Sequence, residues 1–129
     1  MKIIIKNYIL QKAIEEAEKS DHRFKMGAVI FNKKHIISSG HNYGKKSIKH
    51  HLPVFRKNLN AVHAEVDAII KARVNLKGTS ILVVRLGYKG KLLLAKPCSY
   101  CMSYIEHVGI KNIYFTNNEI ERIKLWEII

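Results

Sequence analysis

The sequence predicts a layered α/β domain built on a mixed sheet, and three observations predict it. Amphipathic helical patterns alternate along the chain with short, strongly apolar strand patterns. Three of the strand pairs are separated only by turn residues, and helical segments separate one pair from the next. The 129 residues, 47% of them apolar and 26% charged, suffice for one core and are too few for two. The expectation is a single domain spanning residues 1–129, with disorder excluded by the same balance.

In chain order, Asn7 is placed to cap a first helix over residues 7–19. Leu10, Ala13, Ile14 and Ala17 recur there at three- and four-residue spacing, and the acids fall on the other face. Residues 26–31 read as a buried strand. An Asn32-Lys33-Lys34 turn leads into a second strand over residues 35–40, which makes the two a hairpin. Residues 43–60 lack periodicity and form a long basic loop, a kind of segment often used for function. Asn60 is positioned to cap a helix over residues 61–73, with Val62, Val66, Ile69 and Ile70 inward. Residues 80–86 (Ser-Ile-Leu-Val-Val-Arg-Leu) are the most strand-like of all. Gly87 and Gly90 bracket a turn, and residues 92–94 return as a short strand. Pro97 opens a helix over residues 99–107 that Gly109 stops. A strand over residues 113–115, an Asn117-Asn118 turn and an antiparallel partner over residues 119–125 complete the order. Trp126 is expected in the core or at a subunit contact.

Charge narrows the partners. Lys plus Arg number 23 against 10 acids, for a net charge of +13 and a pI near 9.9. Such a surface attracts nucleotides, nucleic acid or anionic lipid. Lysine outnumbers arginine 18 to 5, and Lys, Ile and Asn supply 46 residues, so part of the charge reflects an AT-rich coding bias. Distribution is therefore the better guide. No acid occurs from residue 22 to 64 or from residue 68 to 105, which points to a positive rim around an anionic substrate as one reading and a lysine-biased solvated surface as the other. No apolar run approaches the ~20 residues of a membrane span, and the short start over residues 1–6 is no signal peptide. The expectation is a cytoplasmic chain with no membrane partner, and a Cys-x-x-Cys pair fits a reducing compartment and metal or redox chemistry.

Three side chains carry that chemistry: His63 at one helix start, with Cys98 and Cys101 at another. Zinc accepts imidazole nitrogen and thiolate sulfur tetrahedrally, and three protein ligands leave a position for water. A helix N-terminus favours thiolates, and zinc lowers the pKa of water to near 7. Glu65, two residues after His63, is then the proton carrier. Competing readings stay open: a redox pair, or a closed structural zinc site completed by His41, His50, His51 or His107, with Glu65 merely stabilising its helix. Tyr43, Phe55, Tyr88 and Tyr100 are interleaved with basic residues and could stack on nucleobases. Tyr100, between the cysteines, is the best of them for lining a pocket.

His63-Ala64-Glu65 followed by Pro97-Cys98-Ser99-Tyr100-Cys101 resembles the signature of the cytidine and deoxycytidylate deaminase superfamily, a pattern already known for zinc deaminases. Gly27-Ala28-Val29-Ile30 and Gly40-His41-Asn42 are similar to the first hairpin of that fold, so the resemblance spans nearly the whole chain. It implies a three-layer cytidine deaminase-like fold, with a mixed five-stranded sheet flanked by helices. It implies a Zn2+ cofactor held by His63, Cys98 and Cys101, Glu65 as general acid/base, and backbone amides near Ala64 and Cys98 beside the reacting oxygen. Asn42 would contact the sugar or base of the substrate. Asp67 departs from the Asn common in deoxycytidylate deaminases, and antiparallel last strands resemble the free cytidine branch more than the tRNA adenosine branch.

The function expected is zinc-dependent hydrolytic deamination of cytosine in a free nucleoside or nucleotide, with Arg23, Lys25 or residues 45–57 holding a phosphate. One alternative is a deaminase of single-stranded DNA or RNA, including tRNA; another is a silent deaminase fold that binds nucleic acid. A homo-oligomer is expected, as is usual in the family.

Overall fold

The computed structural model describes residues 5–21, 24–43 and 63–117, and the backbone of residues 120–124. Helix α1 (Asn7–Glu18) is followed by strands β1 (Lys25–Asn32) and β2 (His35–His41) and helix α2 (Ala64–Ala72). Strand β3 (Ser80–Leu86), a 3₁₀ turn at Tyr88–Gly90, the two-residue strand β4 (Leu92–Leu93) and helix α3 (Ser99–His107) come next. Strands β5 (Asn112–Thr116) and β6 (Ile120–Lys124) close the order.

The sheet runs β2-β1-β3-β5-β6, with β4 added beside the end of β3. β1 pairs antiparallel with both β2 and β3, β3 pairs parallel with β5, and β5 pairs antiparallel with β6. The sheet is therefore mixed, as expected. The single parallel pair needs a long crossover, and residues 87–111, carrying β4 and α3, supply it.

Alternation along the strands builds two cores. Ala28 and Ile30 of β1 and Ile81 and Val83 of β3 face a core with Val66 and Ala68 of α2 and Tyr104 and Ile105 of α3. Val29, Phe31, Leu82 and Val84 face the opposite way, onto Ile9, Ala13 and Ala17 of α1. Among the described residues, one helix on one face and two on the other make three layers.

Two glycines set the layer spacing. A Cβ at Gly27 would collide with the backbone of Ala13 and Ala17, so glycine lets α1 seat directly on β1. A Cβ at Gly40 would stand 2.9 Å from Ala64 O and 2.8 Å from Asp67 Oδ2, and would collide with Ala68 N, so glycine lets the start of α2 lie on the end of β2.

Several local expectations are corrected. Lys6, not Asn7, takes the N-cap position of α1, and no side chain caps it. Glu16 is not on the solvent face: it is buried with Ile9, Ala13 and Ala17, because its partners lie on β2. The described part of α2 begins at Ala64 with His63 at its N-cap, while Asn60 and Val62 lie outside the described residues. β1, β2 and β5 each run one or two residues longer than the apolar patterns indicated, because ladder hydrogen bonds extend past the apolar residues. Gly109 ends α3 as expected, with a left-handed φ of 86°. Asn118 and Trp126 lie outside the described residues. Among these residues no helix is long and apolar enough to cross a membrane.

Candidate metal and catalytic centre

The sequence brings two helix starts to one place. His63 is the N-cap of α2, with extended φ/ψ of −83° and 153°, and Cys98 is the N-cap of α3, at −69° and 169°. Neither side chain caps its own helix; both are turned to the centre instead. Cys101, one turn into α3, is fully buried and joins them. His63 Nδ1 lies 3.0 Å from Cys101 Sγ and 3.7 Å from Cys98 Sγ. All three donor atoms fall within 4.8 Å of one another. Tetrahedral zinc with the usual bond lengths needs nitrogen–sulfur separations of about 3.5 Å, so the group fits Zn2+.

Electrostatics agree. The Cys98 thiol is lowered to about 3, first by its hydrogen bond from Cys101 and then by His63. Cys101 is pushed up by holding that hydrogen bond and by burial. Cys98 is thus ready as a thiolate, and Cys101 gives up its proton when a cation takes the place of the hydrogen bond. His63 is raised, chiefly by its contact with Cys98.

Among the described residues the group comprises three donors, which leaves a tetrahedral ion one open position. His41 does not close it, since its Nδ1 is 3.0 Å from Glu16 Oε1. His107 stands at the far end of α3. His50 and His51 lie outside the described residues.

Glu65, in the first turn of α2, is only 2% exposed. Its Oε1 is buried with no hydrogen-bond partner among the described residues. Burial raises its pKa, against opposing contributions from its own backbone N–H and from His63. The carboxyl also interacts with the Cys101 sulfur. A carboxyl in that state can take a proton and hold it briefly, which ordinary carboxylates near neutral pH do poorly.

The other expected site residues fall in different surroundings. Ala64 is the first residue of α2 and fully buried, so its backbone starts the helix beside the donors. Tyr100 meets His63 edge-on, with ring centroids 5.9 Å apart at 76°. Burial, then the neighbouring thiols and Tyr104, raise its pKa and keep the phenol neutral. Asn42 is buried: its Oδ1 accepts from Met26 N–H at 2.9 Å, and its Nδ2 donates to Phe24 C=O. The carboxamide thereby fastens the end of β2 to the start of β1. Arg23 and residues 45–57 lie outside the described residues.

A supporting network passed unnoticed in the sequence. Asp67, buried on α2, accepts from His41 N–H at 3.1 Å and Tyr43 OH at 3.0 Å, and pairs with Lys71 at 2.9 Å. It ties the helix turn that carries His63 and Glu65 to the strand end that carries Asn42. On the other face, Glu16 accepts from Ser39 at 2.8 Å and Lys19 at 3.2 Å and meets His41. Burial raises its pKa, but these hydrogen bonds outweigh burial and hold it at about 2. A carboxyl lowered from 4.5 contributes stability above that value and loses it as pH falls toward 2. Acid unfolding followed by circular dichroism should show it: Glu16→Gln is less stable than wild type at neutral pH, and the gap closes between about pH 4.5 and 2.

A three-layer α/β domain with a nitrogen–sulfur donor group at two helix starts and a buried carboxyl beside it defines a metal-site domain with an open coordination position. The chain belongs to the cytidine and deoxycytidylate deaminase zinc-binding family, which matches residues 4–117. Solved structures with the same fold include dCMP deaminase from the cyanophage S-TIM5 in complex with dCMP and dUMP, at 21% identity and TM-score 0.57, covering 88% of this chain and 85% of that one. Cytidine deaminase from Burkholderia pseudomallei is similar at 16% identity and TM-score 0.68, covering 98% and 97%. Cytidine deaminase from Mycobacterium tuberculosis is similar at 15% identity and TM-score 0.59, covering 98% and 94%. At these identities the likeness establishes the fold. No curated protein sequence matches the chain.

Proposed function

We propose that the chain is a zinc-dependent hydrolytic deaminase converting the cytosine base of a nucleoside or nucleotide, of cytidine, deoxycytidine, CMP or dCMP type, to uracil with release of ammonia. The observation that carries this reading is Glu65 Oε1, buried and unpartnered beside three zinc-type donors. A structural zinc site needs no such atom, and a buried carboxyl oxygen left without a partner costs free energy that a catalytic role would account for.

His63, Cys98 and Cys101 would hold the ion, which supplies Lewis acidity that lets water lose a proton near neutral pH. Glu65 Oε1 takes one proton from the attacking water and delivers it to the ring nitrogen as the water oxygen bonds to the amine-bearing carbon. It then takes the remaining proton of that oxygen and passes it to the exocyclic amine, and the carbon–nitrogen bond breaks to release ammonia and leave the uracil carbonyl. Tyr100, neutral and edge-on to His63, stands where it can shape the pocket. Asp67 and Asn42 hold the two elements in register. The antiparallel β5–β6 pair supports the free cytidine branch, whose last strands it resembles, over the tRNA adenosine branch. Self-association into a homo-oligomer and a cytoplasmic location belong to the same reading.

The net charge of +13 and the exposed Lys25, Lys89, Lys91 and Lys96 favour a second reading, action on single-stranded DNA or RNA. Incubating the zinc-loaded protein with cytidine, deoxycytidine, dCMP and a cytosine-bearing single-stranded oligonucleotide, scored for uracil by mass, separates the two. The first reading expects uracil from the small substrates at rates that change little with salt. Conversion of the oligonucleotide alone, falling steeply with salt as counterions compete, would replace it by the second.

A further inference from the structure

Arg85 is the one arginine in the described strands whose side-chain placement demands an explanation. Alternation along β3 sends Ile81 and Val83 to the core under α2 and α3, so Arg85, two residues on, lies on that same face. Its cross-strand neighbours are Met26 on β1 and Leu93 on β4. Met26 packs against the α2/α3 core and donates its N–H to Asn42. The end of β2 that carries Asn42 lies under the first turns of α2, through Gly40 and His41. Arg85 is therefore on the face and at the end of the sheet where His63 and Glu65 begin α2.

Its surroundings are those of a cation kept waiting. Unlike the exposed Lys25, Lys89, Lys91 and Lys96, Arg85 is half-buried. Its guanidinium carbon lies 4.7 Å from the centroid of the Phe24 ring, a cation–π contact that holds the group over the ring. Its Nε is buried with no hydrogen-bond partner among the described residues. Among the described residues no ion pair engages it, and residues 68–105 contain no acid. Interior guanidinium groups are ordinarily paired. A planar guanidinium fork with no acid beside it is matched by two oxygens of one phosphate.

We infer that Arg85 is the phosphate anchor of this site, binding the 5′-phosphate of a cytosine nucleotide and selecting the nucleotide over the nucleoside. The inference rests on the deaminase reading and narrows its substrate to a phosphate monoester. A phosphodiester within a single strand offers similar oxygens, so both forms belong in the test.

Equilibrium binding of dCMP, deoxycytidine and a single-stranded oligonucleotide to the zinc-loaded protein, measured by calorimetry, does not depend on turnover. Wild type should bind dCMP at least about 10-fold more tightly than deoxycytidine, and Arg85→Gln should weaken dCMP by about 10- to 100-fold while leaving deoxycytidine within about threefold. Arg85→Lys, which keeps the charge and loses the fork, should fall between the two and covers the case in which the Gln variant does not fold. The ratio of kcat/KM for dCMP to that for deoxycytidine should drop in parallel where turnover is seen. Equal losses for both ligands would make Arg85 structural, and no loss for dCMP, or loss confined to the oligonucleotide, would overturn the assignment. A wild type that binds dCMP with this Arg85 dependence yet forms no uracil would instead sink the deaminase reading and leave the anchor standing.

Discussion

Replacing Glu65 with Gln should lower the rate of uracil formation by about 100- to 10,000-fold while the protein keeps its zinc and its fold. The size follows from what the residue is positioned to do. Among the described residues its Oε1 is buried without a partner and its pKa is raised by burial, which under the proposed function suits it to shuttle protons between water, ring nitrogen and leaving amine. Gln has the same shape and cannot carry a proton. Elemental analysis of the variant guards the inference: Glu65 is not one of the three donors, so zinc stoichiometry should stay at one per chain. Full activity in Glu65→Gln would remove the carboxyl from the mechanism. Loss of zinc with activity would mean that it serves the metal instead.

The second large effect concerns the sulfurs. Cys98→Ser and Cys101→Ser should each reduce bound zinc from one per chain to a small fraction and abolish deamination, since a neutral hydroxyl is a poor replacement for a thiolate on zinc. The two should differ in stability. Cys101 is fully buried in the core with Tyr104 and Ile105, whereas Cys98 is exposed at the start of α3. Cys101→Ser therefore loses packing as well as metal and should melt at a lower temperature than Cys98→Ser, while both melt below the zinc-loaded wild type because metal binding couples to folding. A chelator should reproduce the loss of activity, and Zn2+ should restore it to wild type but not to the variants. Retention of stoichiometric zinc after both replacements would place the metal elsewhere.

What could be read from the sequence was what depends on spacing. The His-x-Glu and Cys-x-x-Cys groups declare their chemistry through fixed intervals at helix starts, and the structure brings His63, Cys98 and Cys101 within ligand range of one another. Strand alternation was equally legible, because Ala28, Val29, Ile30 and Phe31 feed two cores in turn. Long-range polar pairing was not. Glu16 looks like one more acid on a charged helix face until His41 and Ser39 arrive from β2. Asn42 reads as a substrate contact or a strand-ending turn residue, and the fold shows its carboxamide bound to the backbone of Phe24 and Met26. Arg85 sits in an apolar strand pattern that gives no sign of Phe24 stacking beneath its guanidinium. Each of these depends on which strands become neighbours, and periodicity does not encode that.

The central claim is a zinc ion held by one imidazole and two thiolates with one position open beside Glu65. X-ray absorption at the zinc edge of the loaded protein tests it directly. The account predicts two sulfurs at about 2.3 Å and two lighter atoms at about 2.0–2.1 Å, with the multiple scattering of a single imidazole. Scattering from two imidazoles, or from more than two sulfurs, would describe a closed structural site and contradict it.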